Sequence, residues 1–392
     1  MDEHVVRTYV REPEVFVSGQ GATLFTEDGR RFLDFLGGIA VSALGHHHPR
    51  LTHALHDQVD RVLHTSNLYR HPFTEELAGH LAKASGLEAV FFANSGAEAN
   101  ECTLKIARKY QEVRGEGDRD HFLALDGCFH GRTLGALSVT SGAAYRKPFA
   151  PLLESHFLPR NDIAALEKAI ETRPAGLILE PIQGEGGIHE LDHGFLRRAR
   201  ELCTESNTVL IHDEVQSGTG RTGKFLAGDH ASVKPDLATL AKPLAGGLPI
   251  GCCLTAKGFE SILQPGDHGS TFAGGPLVSR AAIVVMEELQ DGLLDAVAER
   301  GAQLRAGLEA FVDRYPRAIE VRGRGLMLGL QIDGGAQDLQ RWLYENGLIT
   351  HCTQKDVLRL LPPYVVTDGD IEEALVLIDR GLAQTADAET LV

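Results

Sequence analysis

The sequence is short of several things that would give it away quickly. Its six cysteines (102, 128, 203, 252, 253 and 352) contain no C-x-x-C pair. They read as reduced, buried small hydrophobes rather than a disulfide framework or zinc ligands. No apolar run approaches the ~20 residues that a membrane helix needs. The start, Met1-Asp2-Glu3-His4-Val5, lacks a basic-then-apolar signal pattern, so a cytoplasmic enzyme with no membrane partner is expected. There is no basic excess: net charge is −16 with acids and bases interspersed, which argues against a nucleic-acid partner. Internal repeats and low-complexity tracts are also missing. His46-His47-His48 has no acidic or cysteine partner at ligand spacing and reads as a turn before Pro49, so no metal is expected.

What is present is a chain of 392 residues, long enough for two domains, in which a strand, a polar glycine loop and a helix recur. An early hairpin is expected from Ala22–Phe25 and Arg31–Leu36 around Glu27-Asp28-Gly29. Helical spacing follows from Pro49 to Leu63 and from Thr74 to Ser85. Ala89–Phe92, Phe122–Leu125, Gly176–Leu179 and Val209–Ile211 are short apolar strands, each running into a polar loop. That alternation predicts an α/β fold with a mostly parallel sheet between helices and ligand-binding groups at the carboxyl ends of its strands. After about Gly292 the pattern changes to helix, two strands (319–322 and 326–330), helix, the strand 357–361 and a final helix. This reads as a smaller α+β domain. The expected organisation is an N-terminal segment, 1–45, joining the small domain; a large domain, 46–291; and a C-terminal small domain, 292–392.

The loops carry the chemistry. Ser95-Gly96-Ala97, at a helix start, offers free N–H groups and a hydroxyl, a natural phosphate seat. Phe129 and Arg132 lie on the loop after a strand. Asp213 ends a buried strand, and Lys242 stands between Leu240-Ala241 and Pro243-Leu244. Between them, Gly218-x-Gly220-x-x-Gly223-Lys224 matches a dinucleotide fingerprint and nearly matches a nucleotidase phosphate loop. The nucleotidase loop needs Ser or Thr where Phe225 stands, and both readings need a helix that Ala227-Gly228-Asp229 and Pro235 interrupt. A nucleotide-binding protein using Gly218–Gly223 is therefore the minor alternative, and the loop is expected only to return the chain. The scattered loops are united better by pyridoxal 5'-phosphate. It needs a Schiff-base lysine, a carboxylate for its ring nitrogen, a phosphate seat and a ring clamp. Lys242, Asp213, Ser95-Gly96-Ala97 with Thr271, and Phe129 would supply them.

With these residues assembled, the chain resembles the class III (ornithine-type) pyridoxal-phosphate aminotransferases over nearly its whole length, and within them the branch acting on N2-acetylornithine. The resemblance is carried by Phe32–Val41, Gly45–Pro49, Ser66–Tyr69, Asn94–Asn100, Phe129–Thr133, Glu180–Gly187 and Leu210–Gly251. It implies a fold-type I transferase and a homodimer in which Ser270 and Thr271 reach the partner's site. It implies that Lys242 forms the Schiff base, Asp213 pairs with the ring nitrogen, Gln216 bonds the ring hydroxyl and Phe129 stacks on the ring. Gly96, Ala97 and the partner's Thr271 would hold the phosphate, with Ser95, Glu214 and Val215 also placed at the cofactor. Arg132 would bind the substrate α-carboxylate, and Glu185 and Arg359 would form a pair that switches between substrates. The implied reaction moves the δ-amine of N2-acetylornithine to 2-oxoglutarate in arginine biosynthesis. Succinylornithine, ornithine, 4-aminobutyrate and carrier-linked aminoadipate semialdehyde are the alternative substrates, and an aminomutase of the same fold is a different reaction class. Two departures bear on loop shape: Ala-Lys-Pro-Leu-Ala-Gly-Gly around Lys242, and Gly275 where relatives carry Asn.

Overall fold

The computed structural model describes residues 4–387. Near its start, β1 (Phe16–Gln20), β2 (Thr23–Thr26) and β3 (Arg31–Asp34) pair antiparallel in sequence. The β2–β3 hairpin is the expected one, turning at Gly29 with a φ of 83°. Two helices follow, α1 (Pro49–Val59) and α2 (Pro72–Ser85), each with proline in its first turn, where its missing N–H costs nothing. The first stops four residues short of the expected Leu63. The second closes on Gly86 in the left-handed conformation, whose N–H caps the Ala82 carbonyl.

The centre of the molecule is a seven-stranded sheet. Its members are β4 (Ala89–Ala93), β5 (Phe122–Leu125), β6 (Ser155–Leu158), β7 (Gly176–Leu179), β8 (Val209–Asp213), β9 (Leu237–Leu240) and β10 (Gly251–Thr255). The order across the sheet is β4-β10-β9-β8-β7-β5-β6. Every pairing from β9 to β6 is parallel, while β10 runs antiparallel to both β9 and β4. The strands β5, β7 and β9 are buried at every residue, as parallel strands covered on both faces must be. Helices α3 (Gly96–Val113), α4 (Ile163–Ile170) and α5 (His193–Ser206) join these strands, and α6 (Pro276–Glu288) follows them. Residues 281–286 of α6 are buried all round, so this helix lies inside the main hydrophobic cluster with Leu77 and Leu81 of α2.

Past α6 the chain forms α7 (Leu294–Arg314), β11 (Ala318–Arg324), β12 (Met327–Ile332) and α8 (Gln337–Glu345). It ends with β13 (Leu348–Ile349), β14 (His351–Thr353), β15 (Val357–Leu360) and α9 (Asp368–Asp387). Strands β11, β12, β15 and β14 make an antiparallel sheet in that order. The short β13 leaves it to pair parallel with β3, Leu348 opposite Leu33. None of the described helices is long and apolar enough to cross a membrane.

The glycine loop between β8 and β9 departs from expectation. It does more than return the chain. Arg221 is fully buried, with Nη1 donating to the carbonyls of Leu326 (3.1 Å) and Pro362 (2.5 Å) and its guanidinium 4.4 Å from the Tyr364 ring centroid. Tyr364 in turn donates from its hydroxyl to the Thr219 carbonyl at 3.0 Å. The loop is thus the socket for the C-terminal segment. It has no free face for a nucleotide, which removes that reading.

Candidate active site

Because β4, β5, β7, β8 and β9 point the same way, the loops at their carboxyl ends meet on one edge of the sheet. There they enclose a cavity of about 470 Å³. Of the expected residues, Ser95, Gly96, Ala97, Phe129, Arg132, Glu185, Asp213, Val215, Gln216 and Lys242 line it.

After β4, Ser95 caps α3, its hydroxyl accepting from the Glu98 N–H at 3.2 Å. Glu98 reaches back to the Asn94 N–H at 2.7 Å, one residue before the usual capping-box partner. The first amides of α3 have no partner within the helix and carry the positive end of its dipole. Two glycines keep this seat open. A Cβ on Gly96 would come within 2.7 Å of Val215, and one on Gly251, the first residue of β10, would overlap the Ser95 carbonyl. Ser270 approaches from outside, accepting from Asn94 Nδ2 at 2.7 Å.

Asp213 ends β8 inside a dense set of donors. Its Oδ2 accepts from His130 Nδ1 (2.7 Å) and Asn100 Nδ2 (2.8 Å), its Oδ1 from the Val215 N–H (3.0 Å) and Thr239 Oγ1 (3.3 Å). Burial works to raise its pKa, and the bonds from His130 and these neighbours overcome that and hold the carboxyl below its ordinary range. Nε2 of His130 is buried without a partner. Lys242 opens a short turn after β9 with a φ of 32°, uncommon for any residue with a Cβ. Burial lowers its ammonium from the usual value, opposed by Glu185. Glu180, which follows β7, accepts from the Phe129 N–H (2.9 Å) and the Gly184 N–H (3.1 Å), clamping two loops together. Burial pushes its carboxyl up to about 7.

Glu185 Oε1 accepts from Arg359 Nη1 at 2.6 Å and from Gln216 Nε2 at 3.4 Å. Burial alone would raise the Glu185 carboxyl, but Arg359 beside it more than reverses the effect. Arg359, on β15, is wholly buried behind this pair and does not itself line the cavity.

Glu214, expected at the cofactor, faces the other way. It follows Asp213 on an extended backbone, so its side chain takes the opposite face. There it accepts from Ser217 Oγ (2.7 Å) and the N–H groups of Ala227 (2.9 Å) and Gly228 (2.8 Å). Ser270 and Thr271 lie outside the cavity of a single chain, and Thr271 is exposed. His46, of the histidine run, bonds Asp34 Oδ2 through Nε2 at 2.9 Å. Conversely, Asn100, His130 and Glu180 had no assigned role, although all three stand inside the motifs. The signal for Glu180 is close to the one for Asp213, a carboxylate at the end of a buried strand. Among the described residues no group of three or more His, Cys, Asp or Glu is placed to hold a metal ion.

A buried anion at a strand end, a desolvated lysine and a helix N-terminus opened by glycine fit pyridoxal 5'-phosphate, with ring nitrogen, carbonyl carbon and phosphate each answered. Comparison with known proteins agrees. The family model for class III aminotransferases matches residues 7–382, and the chain belongs to that family. It is 42% identical to the acetylornithine aminotransferase of Caldanaerobacter subterraneus subsp. tengcongensis, over 97% of this chain and 98% of that one. Among solved structures, the ornithine aminotransferase of Toxoplasma gondii, with partial occupancy of pyridoxal phosphate at its active site, superposes with a TM-score of 0.95 at 34% identity, covering 99% of this chain and 93% of that one. The N-acetylornithine aminotransferase of Stenotrophomonas maltophilia K279a superposes at 0.85 with 35% identity, covering 96% and 98%.

Proposed function

We propose that this chain is a ping-pong aminotransferase that takes the δ-amine of N2-acetylornithine and passes it to 2-oxoglutarate. The products are N-acetylglutamate 5-semialdehyde and glutamate, in a step of arginine biosynthesis. The observation that carries the reading is the convergence of Asp213, Lys242, Arg132 and Glu185 on one cavity. Pyridoxal 5'-phosphate is the cofactor, and when bound it supplies the electrophilic carbon that receives the amine and the ring that takes up electrons. The rest falls to the chain. Asp213, held charged by His130, keeps a proton on the ring nitrogen. Gly96, Ala97 and Ser95 hold the phosphate, Phe129 and Val215 cover the ring faces, and Gln216 bonds the ring hydroxyl. Lys242 Nζ, its basicity lowered by burial, carries the proton between carbon atoms.

Arg132 takes the α-carboxylate of N2-acetylornithine, while Glu185 neutralises Arg359 so that the distal amine can enter. With glutamate, the Arg359 fork grips the α-carboxylate in place of Glu185. The site is completed in a homodimer, with Ser270 and Thr271 serving the partner's cofactor. Supporting this, the surface around Ser270 is apolar and uncovered, Leu68 being 87% and Phe272 69% exposed beside Tyr69 and Leu63.

The test is spectroscopic. The purified protein should be yellow, and borohydride should fix the cofactor on Lys242. N2-acetylornithine should then bleach the colour faster than succinylornithine, ornithine or 4-aminobutyrate. Bleaching by 4-aminobutyrate alone would remove the arginine-pathway assignment. Sedimentation as a monomer would remove the shared site.

A further inference from the structure

Arg132 is an exposed arginine at the cavity, and among the described residues it makes neither an ion pair nor a hydrogen bond. What holds it is aromatic. Its guanidinium carbon lies 4.2 Å from the Tyr145 ring centroid and 5.3 Å from that of Phe129. A cation lying against π faces keeps its N–H edge free, which is the arrangement that receives a carboxylate in a bidentate grip.

The backbone that carries Tyr145 is anchored, while the ring itself is 46% exposed. The residue stands on the short helix Ala143–Arg146, whose Arg146 lies 4.2 Å from the Phe157 ring centroid. That helix is preceded by Gly142, with a φ of 95°, where a Cβ would crowd the tyrosine ring at 3.1 Å. The preceding residues are stitched to the loop that carries Phe129 and Arg132. The Ser141 N–H donates to the Cys128 carbonyl (3.0 Å), the Gly127 N–H to Ser141 Oγ (3.1 Å), and the His130 N–H to Thr140 Oγ1 (2.9 Å).

The geometry points to Tyr145 as the positioning residue of Arg132, and so as a determinant of specificity for amines that carry a carboxylate at the far end. Without the ring, the long arginine side chain regains its rotamer freedom and must be ordered anew by each substrate. The ring face does this work, and the hydroxyl is dispensable.

The inference rests on the substrate reading above, and its test separates the two. Holoenzyme of the parent, Tyr145→Phe and Tyr145→Leu is compared with N2-acetylornithine and with N-acetylputrescine, the same amine with hydrogen in place of the carboxylate. The leucine variant should raise KM for N2-acetylornithine about fivefold with kcat unchanged, and leave N-acetylputrescine turnover unaltered. The phenylalanine variant should match the parent. Equal loss with both amines, or equal loss in both variants, overturns the assignment. Binding of pentanoate to the same holoenzymes by calorimetry reads the Arg132 grip without any amine. It should weaken about fivefold in Tyr145→Leu only, and unchanged affinity overturns the role of Tyr145. A parent enzyme that does not distinguish the two amines would instead sink the substrate reading, and pentanoate would still decide on Tyr145.

Discussion

Glu185 and Arg359 are joined by a 2.6 Å hydrogen bond from Nη1 to Oε1, with the arginine wholly buried and the carboxylate a third exposed. The exposed partner is the one free to move. A buried cation whose counter-ion can swing aside is a site that a second carboxylate can occupy. Glu185→Gln removes the charge and keeps the shape. It should slow the half-reaction with N2-acetylornithine about tenfold and spare the half-reaction with glutamate. Stopped-flow absorbance of each half separately checks this, and equal slowing of both would mean that the pair is only structural.

Gly251 packs against the start of α3, where the phosphate is proposed to sit. A methyl group there would overlap the Ser95 carbonyl and push the first turn of α3. Gly251→Ala should weaken cofactor affinity about tenfold, in line with a ~1–3 kcal/mol overpacking cost. Fluorescence titration of the apoprotein measures it. Affinity equal to the parent's would show that the seat yields without cost.

Glu214 gives the molecule a pH signature away from the reaction. Burial lifts its carboxyl from the ordinary 4.5 to about 7 against three hydrogen bonds to it. The folded state therefore holds this proton more tightly than the unfolded chain, so its contribution to stability falls as pH rises from about 4.5 to about 7. The full change is ~3 kcal/mol. Urea denaturation at pH 5 and pH 8 should show a smaller difference in Glu214→Gln than in the parent by about three quarters of that amount, whatever the absolute stability of the variant. Identical differences would mean that the carboxyl titrates normally.

Arg221 joins the glycine loop to Leu326 and Pro362. Arg221→Ala leaves two carbonyls without their donor and a cavity beside Tyr364, and should cost about 3 kcal/mol of stability. A shift in the denaturation midpoint of under a third of that would contradict its role as the socket.

The frame of the fold was legible because Phe122–Leu125, Gly176–Leu179 and Val209–Ile211 are continuous apolar runs, which in an α/β chain mean parallel strands. Asp213 and Lys242 stood out because a charge at or just past the end of a buried strand requires a reason. Glu214 could have been excluded by alternation along the strand. Other features left little trace. Strand β10 begins Gly251-Cys252-Cys253, too small and uniform to reveal direction, and β13 has two residues, too few for any period. Arg221 looked like loop polarity because its partners lie near Leu326, Pro362 and Tyr364, far along the chain. Tyr145 was hidden for the same reason that cation–π pairs usually are: neither member needs a distinctive neighbour in sequence.

The parallel pairing of β3 with β13, Leu33 against Leu348, also sets a timetable. During synthesis the β2–β3 hairpin emerges first, and its outer edge has no partner until nearly the whole chain has been made. At ~5–20 residues per second that interval is on the order of 15–60 s. Throughout it Leu33 and the open edge of β3 are available to other unfinished chains, so nascent copies on one message are each other's nearest hazard.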